Sequence, residues 1–105
     1  MKDELQDLID LLHERKCSCV LRNGEIYTFE RRGVEDLYAL LREQPGLLLG
    51  ADVADKVVGK GAAALMVLGR VRRVYADVLI EPAYGLLFQA GISVSYGRLV
   101  SAIRN

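Results

Sequence analysis

The 105 residues carry 14 Lys plus Arg against 14 Asp plus Glu, a formal net charge of zero. This excludes the surplus of positive charge that drives non-specific nucleic-acid binding, and it leaves nothing to repel a second copy, so a homodimer or higher homo-oligomer is expected. Hydrophobic residues make up 51% with no Trp, which implies an aliphatic core with elements buried on more than one face.

One domain spanning 1–105 is long enough to hold such a core without a disulfide or a metal. The longest apolar run, Ala62 to Gly69, is too short to span a bilayer. The first residues are acidic and amphipathic rather than signal-like. Both points place the chain in the cytoplasm, where Cys17 and Cys19 are expected to stay reduced.

Leu5, Leu8, Ile9 and Leu12 keep helical spacing. Asp3 and Glu4 at the start of that helix, and His13, Arg15 and Lys16 at its end, suit the helix dipole. Next, Cys17 to Arg22 and Glu25 to Glu30 flank Asn23-Gly24, a hairpin signal because both residues tolerate positive φ. A two-residue turn puts Leu21 opposite Ile26 and Cys19 opposite Thr28, with Cys17, Cys19 and Leu21 on one face. Arg31-Arg32-Gly33 ends the hairpin. Val34, Leu37, Leu40 and Leu41 mark a second helix, stopped by Pro45-Gly46. Leu47 to Gly50 reads as a packed connection, with a short strand as the alternative.

Ala54 to Gly69 is the stretch that organises the rest. Its second half is small and apolar on every side, as in an interior helix. Its first half holds Asp55, Lys56 and Lys60 with Gly59 and Gly61, and this polar end must open onto something. Asp52 or Asp55 is placed to cap the helix. Gly69-Arg70 ends it. Val71 to Ile80 reads as a strand buried on both faces. Glu81-Pro82 starts a helix over Ala83 to Ala90, closed by Gly91. Ile92 to Tyr96 alternates as a strand, Gly97 breaks it, and Leu99, Val100 and Ile103 suggest a short final helix.

A hairpin followed by β-α-β units implies an α/β fold, a three-layer α/β/α sandwich with a mixed sheet. Ligands in such sheets bind beyond the carboxyl ends of strands, near helix N-termini. That selects the start of the buried helix and the Ile80-Glu81-Pro82 turn.

The run Asp55-Lys56-Val57-Val58-Gly59-Lys60-Gly61-Ala62-Ala63 and the ending Val94-Ser95-Tyr96-Gly97-Arg98-Leu99-Val100 resemble a small family of bacterial proteins of unknown function. Those proteins share the cytidine-deaminase-like fold. The resemblance covers most of the chain and implies that fold. It does not carry the deaminase chemistry, in which a His-x-Glu and a Pro-Cys-x-x-Cys supply the zinc ligands and the proton shuttle. The matching positions here are Gly59, Gly61, Ala83 and Leu86. None can ligate zinc or move a proton, so neither a metal nor a cofactor is expected. Pro82 survives.

The ligand-binding candidates are therefore Asp55, Lys56, Gly59, Lys60, Glu81 and Tyr84. Glycines ahead of a helix let an anion approach free N–H groups, although the P-loop spacing is absent and close packing is the bland explanation. Lys56 and Lys60, four apart, would share a helical face and could hold an anion between them. Glu81 could accept a hydrogen bond from a base, and Tyr84 could stack on a ring. Cys17 and Cys19 are weak catalytic candidates, because a reactive thiol needs a lowered pKa and small core residues explain them as well. His13 reads as dipole compensation. Arg31-Arg32 and Arg70, Arg72 and Arg73 are charge clusters that could meet phosphates.

Three readings follow. The first is binding of a small anionic or nucleotide-like ligand at the N-termini of two helices without zinc-dependent deamination. The second is a thiol-dependent enzyme or redox protein. The third is a structural or regulatory dimerisation domain.

Overall fold

A computed structural model describes residues 4–31 and 34–101. Its elements are α1 (Glu4–Glu14), β1 (Cys19–Asn23), β2 (Glu25–Phe29), α2 (Glu35–Glu43), α3 (Pro45–Leu48), β3 (Asp52–Val58), α4 (Lys60–Gly69), β4 (Arg73–Ile80), α5 (Glu81–Gln89) and β5 (Ser93–Val100). One five-stranded sheet runs β2-β1-β3-β4-β5. β1 is antiparallel to both β2 and β3, while β3, β4 and β5 are parallel. The sheet is mixed, as the hairpin and the β-α-β units imply.

Two cores sandwich it. On one face Leu8 and Leu12 of α1 pack with Cys17, Val20 and Ala54. On the other, the later helices bury Leu37, Leu48, Met66 and Leu87 against Leu21, Val53, Val74 and Leu79. The chain therefore folds as a three-layer α/β/α domain. α1 is tied down by His13, whose Nε2 lies 2.7 Å from Asp77 Oδ1 on β4. Tyr75 donates its hydroxyl to the same oxygen at 2.8 Å. Burial, with the hydrogen bond and charge of Asp77, pushes the Tyr75 phenol up to about 12. His13 is thus more than a dipole partner.

Several expectations need correction. Ala54 to Gly69 is not one element. Asp52–Val58 is the central strand, and the helix starts only at Lys60 after Gly59. Val53, Val57 and Val58 favour a pleated, half-buried position, and pairing with β1 and β4 on either side supplies it. Lys56 and Lys60 therefore share no helical face, and Gly59, not Asp52 or Asp55, occupies the N-cap. The helix itself is apolar all round but not buried all round. Ala62, Ala63, Met66 and Gly69 face the core, whereas Leu68 is 67% exposed.

The hairpin register is shifted by one, with Leu21 opposite Tyr27 and Cys19 opposite Phe29. Gly24 takes φ +76°. Asn23 instead turns its amide inward and donates to the carbonyls of Gly46, Leu47 and Leu49 at 2.9–3.1 Å. Cys17 and Cys19 do not share a face: Cys17 belongs to the α1 core and Cys19 to the opposite one. Residues 45–48 form a short helix rather than a bare connection.

β4 is not buried along both faces, since Tyr75, Asp77 and Val78 stay partly exposed. β5 continues through Gly97 to Val100, so Leu99 and Val100 are strand residues. A Cβ at Gly97 would lie 2.9 Å from the Asp77 carbonyl oxygen, so glycine there permits close strand contact rather than a break. Asp3, Arg32, Gly33 and Ile103 lie outside the described residues.

Candidate functional site

Because β1 runs antiparallel to β3, Ser18 and Cys19 at its start stand beside Lys56 and Asp55 in the middle of β3. The α4 N-terminus and the segment entering α2 close over the same corner. Together they enclose a cavity of about 700 Å³. Its walls are Lys16 to Cys19, Phe29 to Arg31, Val34, Asp36 and Leu37, Asp55 to Val57, and Gly59, Gly61 and Ala62. The first amides of a helix have no carbonyl partner within it. Gly59 has no side chain to cap them, so the α4 end presents its N–H groups and the positive end of its dipole.

Asp55 is the buried polar group of this wall, 7% exposed. Burial pushes its carboxyl up to about 7. Hydrogen bonds from the Val57 and Lys56 backbone and from the Cys19 thiol favour the charged form, and the like charge of Asp77 opposes it. Cys19 stands opposite Asp55 on β1. Burial first, and then the negative field of Asp55, pushes its thiol well above the usual value. A nucleophilic cysteine needs the reverse. Both cysteines are buried free thiols.

The rest of the wall is partly self-neutralised. The Arg31 backbone N–H donates to Asp36 Oδ2 at 3.2 Å, and its guanidinium Nε lies 3.9 Å from Asp36 Oδ1. Ser18 fastens the same segment, donating to the carbonyls of Phe29 at 3.2 Å and Arg31 at 2.6 Å. Lys16 and Lys56 stay exposed at the rim. A Cβ at Gly59 would meet nothing within 4 Å, and one at Gly61 would only touch Val34 at 3.5 Å. Packing does not demand these two glycines. Their missing side chains leave the cavity open onto the helix end.

Cys17, Cys19, Asp55, Lys56 and Gly59 thus come together. Lys60, Glu81 and Tyr84 do not join them. Lys60 is exposed outside the walls. Glu81 and Tyr84 open α5, where Tyr84 stacks on Phe88 at 5.9 Å and meets Tyr96 edge-on at 6.1 Å. The cavity is bordered by the start of α4 and, through Val34, Asp36 and Leu37, by the start of α2, and not by that of α5. Sequence reasoning missed Phe29, Glu30, Val34, Asp36 and Leu37. Their only signal is topological, the hairpin returning beside β3.

The residues do not fit a zinc centre. Gly59 and Gly61 line the cavity without a donor atom, and Ala83 and Leu86 offer none on α5. Among the described residues no group of three or more His, Cys, Asp or Glu could hold a metal ion. No helix among them is long and apolar enough to cross a membrane.

A hairpin beside three parallel strands, with a cavity where the central strand hands over to α4, defines a protein of cytidine-deaminase-like fold without the zinc-ligand set. Residues 7–105 match the family model TM1506, a domain of unknown function (DUF1893), and the chain belongs to that family. It is similar to a crystal structure of a DUF1893 family protein (TM1506) from Thermotoga maritima, with a TM-score of 0.85 and 22% identity over 100% of this chain and 73% of that one.

Two forms of RibD from Acinetobacter baumannii are also similar. Form 2 has a TM-score of 0.55 and 18% identity, form 1 a TM-score of 0.56 and 17% identity, each over 89% of this chain. The chain spans 34% and 33% of those two RibD chains. At these identities the likeness is one of fold. No curated protein matches the chain.

Proposed function

We propose that the cavity at the start of α4 binds a small anionic or nucleotide-like ligand, without zinc-dependent deamination. The supporting observation is the buried Asp55 carboxyl in the wall of a largely apolar cavity of about 700 Å³, a volume in the range of small-molecule sites. With its pKa raised to about 7, Asp55 donates a hydrogen bond when protonated and accepts when ionised. It suits the mixed donor and acceptor edge of a polar ring. The α4 amides and Lys56 at the rim suit an anionic group on the same ligand.

The test is a thermal-shift panel of nucleobases, nucleosides, nucleotides and inorganic phosphate. A true ligand raises the melting temperature, and Asp55→Asn and Lys56→Ala each shrink that rise. No stabilisation by any member, or a rise untouched by both variants, overturns the reading.

A second reading rests on Leu68 and Phe88, 67% and 65% exposed on α4 and α5. Apolar side chains presented there favour self-association. Sedimentation of the Leu68→Glu, Phe88→Glu double variant tests it, and an unchanged mass removes it. The thiol reading requires rapid alkylation of Cys17 or Cys19 at neutral pH. Burial and Asp55 act against this at Cys19.

A further inference from the structure

The outer strands of the described sheet are β2 and β5. β2 is five residues long, and β5 is eight. Proteins blunt exposed strand edges with short strands, Pro or Lys. β5 is long, holds neither Pro nor Lys, and carries one charge, Arg98.

One hydrogen bond fixes which of its backbone groups are free. The Ser93 N–H donates inward to the Arg72 carbonyl at 3.2 Å. Backbone groups alternate sides along a strand, and the β4–β5 register keeps one offset from Arg73–Ser93 to Ile80–Val100. Ser95, Gly97 and Leu99 therefore also bond toward β4. Val94, Tyr96, Arg98 and Val100 turn their N–H and C=O groups outward. The side chains of these four share the α5 face, where Tyr96 meets Tyr84 edge-on and Phe88 stands exposed.

An antiparallel strand added to this edge must bond to those four residues. If it is β5 of a second copy, a twofold axis at Gly97 sets Val94 opposite Val100 and Tyr96 opposite Arg98. All four outward residues then pair, exchanging about eight backbone hydrogen bonds. An axis at Tyr96 leaves Val100 unpaired, and an axis at Arg98 opposes two like charges. With the axis at Gly97, each Arg98 instead lies beside a Tyr96 ring of the second copy, a favourable cation–π pairing. The edge is complementary to itself in hydrogen bonds and in charge. A stable dimer buries on the order of 1,000 Å². Seven paired residues at about 3.3 Å each make a contact about 23 Å long, and the exposed Phe88, Tyr96 and Leu99 give it width.

We propose that two copies of this chain join β5 to β5, antiparallel about Gly97, into one continuous sheet. This pairing rests on the self-association reading and names its surface.

Sedimentation equilibrium measures the mass and the dissociation constant. The wild type is expected at twice the chain mass of 11.6 kDa. Arg98→Pro removes an outward N–H and leaves the bonds to β4, and should weaken the dimer about tenfold or more. Tyr96→Lys sets a like charge opposite Arg98 twice per dimer and should weaken it about tenfold. Adding Arg98→Glu to Tyr96→Lys makes the opposed charges attract and should restore most of the loss. Far-UV circular dichroism checks the fold. If Arg98→Pro loses it, the Tyr96→Lys loss and its rescue decide.

A dimer that neither single variant weakens, or a Tyr96→Lys loss that Arg98→Glu does not reverse, overturns the pairing. If the Leu68→Glu, Phe88→Glu variant still dissociates that dimer, self-association stands and only the β5 surface falls. A monomeric wild type removes both.

Discussion

Asp52 and Asp55 lie on the same strand, three residues apart and both buried, yet their carboxyls move in opposite directions. Burial is the largest influence on each and opposes ionisation at both. At Asp52 it is outweighed by hydrogen bonds and charge from Arg73 and Arg72, and the carboxyl is held down at about 2. At Asp55 the partners are backbone N–H groups and a thiol, and the carboxyl rises to about 7. Neutral donors do not repay desolvation as two guanidiniums do. One end of β3 therefore carries a fixed charge that ties strands together. The middle of the same strand carries an acid whose charge changes near neutrality, in the wall of a cavity.

The largest test of this contrast is the pH dependence of folding. Unfolded, Asp55 ionises near 3.8; folded, near 7. Between those values the folded chain keeps a proton that the unfolded chain has lost. Its contribution is thus fully present below about pH 4 and is lost as pH rises to about 7. A rise of about three units corresponds to about 4 kcal/mol. Asp55→Asn removes the titration. The stability difference between wild type and variant, from urea unfolding at a series of pH values, should swing toward the variant by about that amount. A flat difference curve would mean that Asp55 stays ionised in the fold, and the contrast with Asp52 would disappear.

Asp52 should behave in the reverse sense. Its folded pKa is lowered, so its contribution is present above about 3.8 and lost as pH falls toward 2. At neutral pH, Asp52→Asn leaves Arg72 and Arg73 facing each other without their anion. A loss of about 3 kcal/mol is expected, at the lower end for a broken buried pair because Arg72 is half in solvent. Chemical denaturation at pH 7 checks it. A loss below about 1 kcal/mol would make this cluster no stronger than a surface ion pair.

How much of this was legible depended on whether the signal was local. α1, the hairpin, α2, the helical part of α4, and α5 were all readable, because periodicity and turn residues report local structure. β3 was not. Asp52 to Val58 has no clean alternation, and its strand character comes from β1 and β4 on either side. With β3 hidden, the sequence pattern places Asp55 and Lys56 in a helix, whereas the fold sets Asp55, Lys56 and Gly59 on the walls of one cavity. Analogy between helix starts groups Lys60, Glu81 and Tyr84 with them, and such analogy does not measure distance. The Arg72 and Arg73 cluster was visible as charge, but Asp52 between them was not. Its partners come from the β3–β4 register, which supplies Arg73, and from the bend before β4, which supplies Arg72.

The smallest effects concern the two ends of α4, which extend the contrast from charge to space. Gly69 packs on α3. A Cβ there would lie 2.7 Å from Leu48 Cδ1 and 2.8 Å from Leu48 Cβ. The second of those atoms moves only with its backbone. Gly69→Ala should therefore destabilise by about 1–2 kcal/mol despite alanine's better helix propensity. Gly59, at the cavity, has extended backbone with φ −96° and ψ −177°, which any residue adopts, and open space where a Cβ would go. Gly59→Ala should change stability by no more than about 0.5 kcal/mol, a small capping loss offset by reduced freedom of the unfolded chain. Urea midpoints of the two variants measure the difference. If Gly59→Ala were the costlier, the glycine at the head of α4 would be serving the core, and the cavity would lose its claim to have been left open for a ligand.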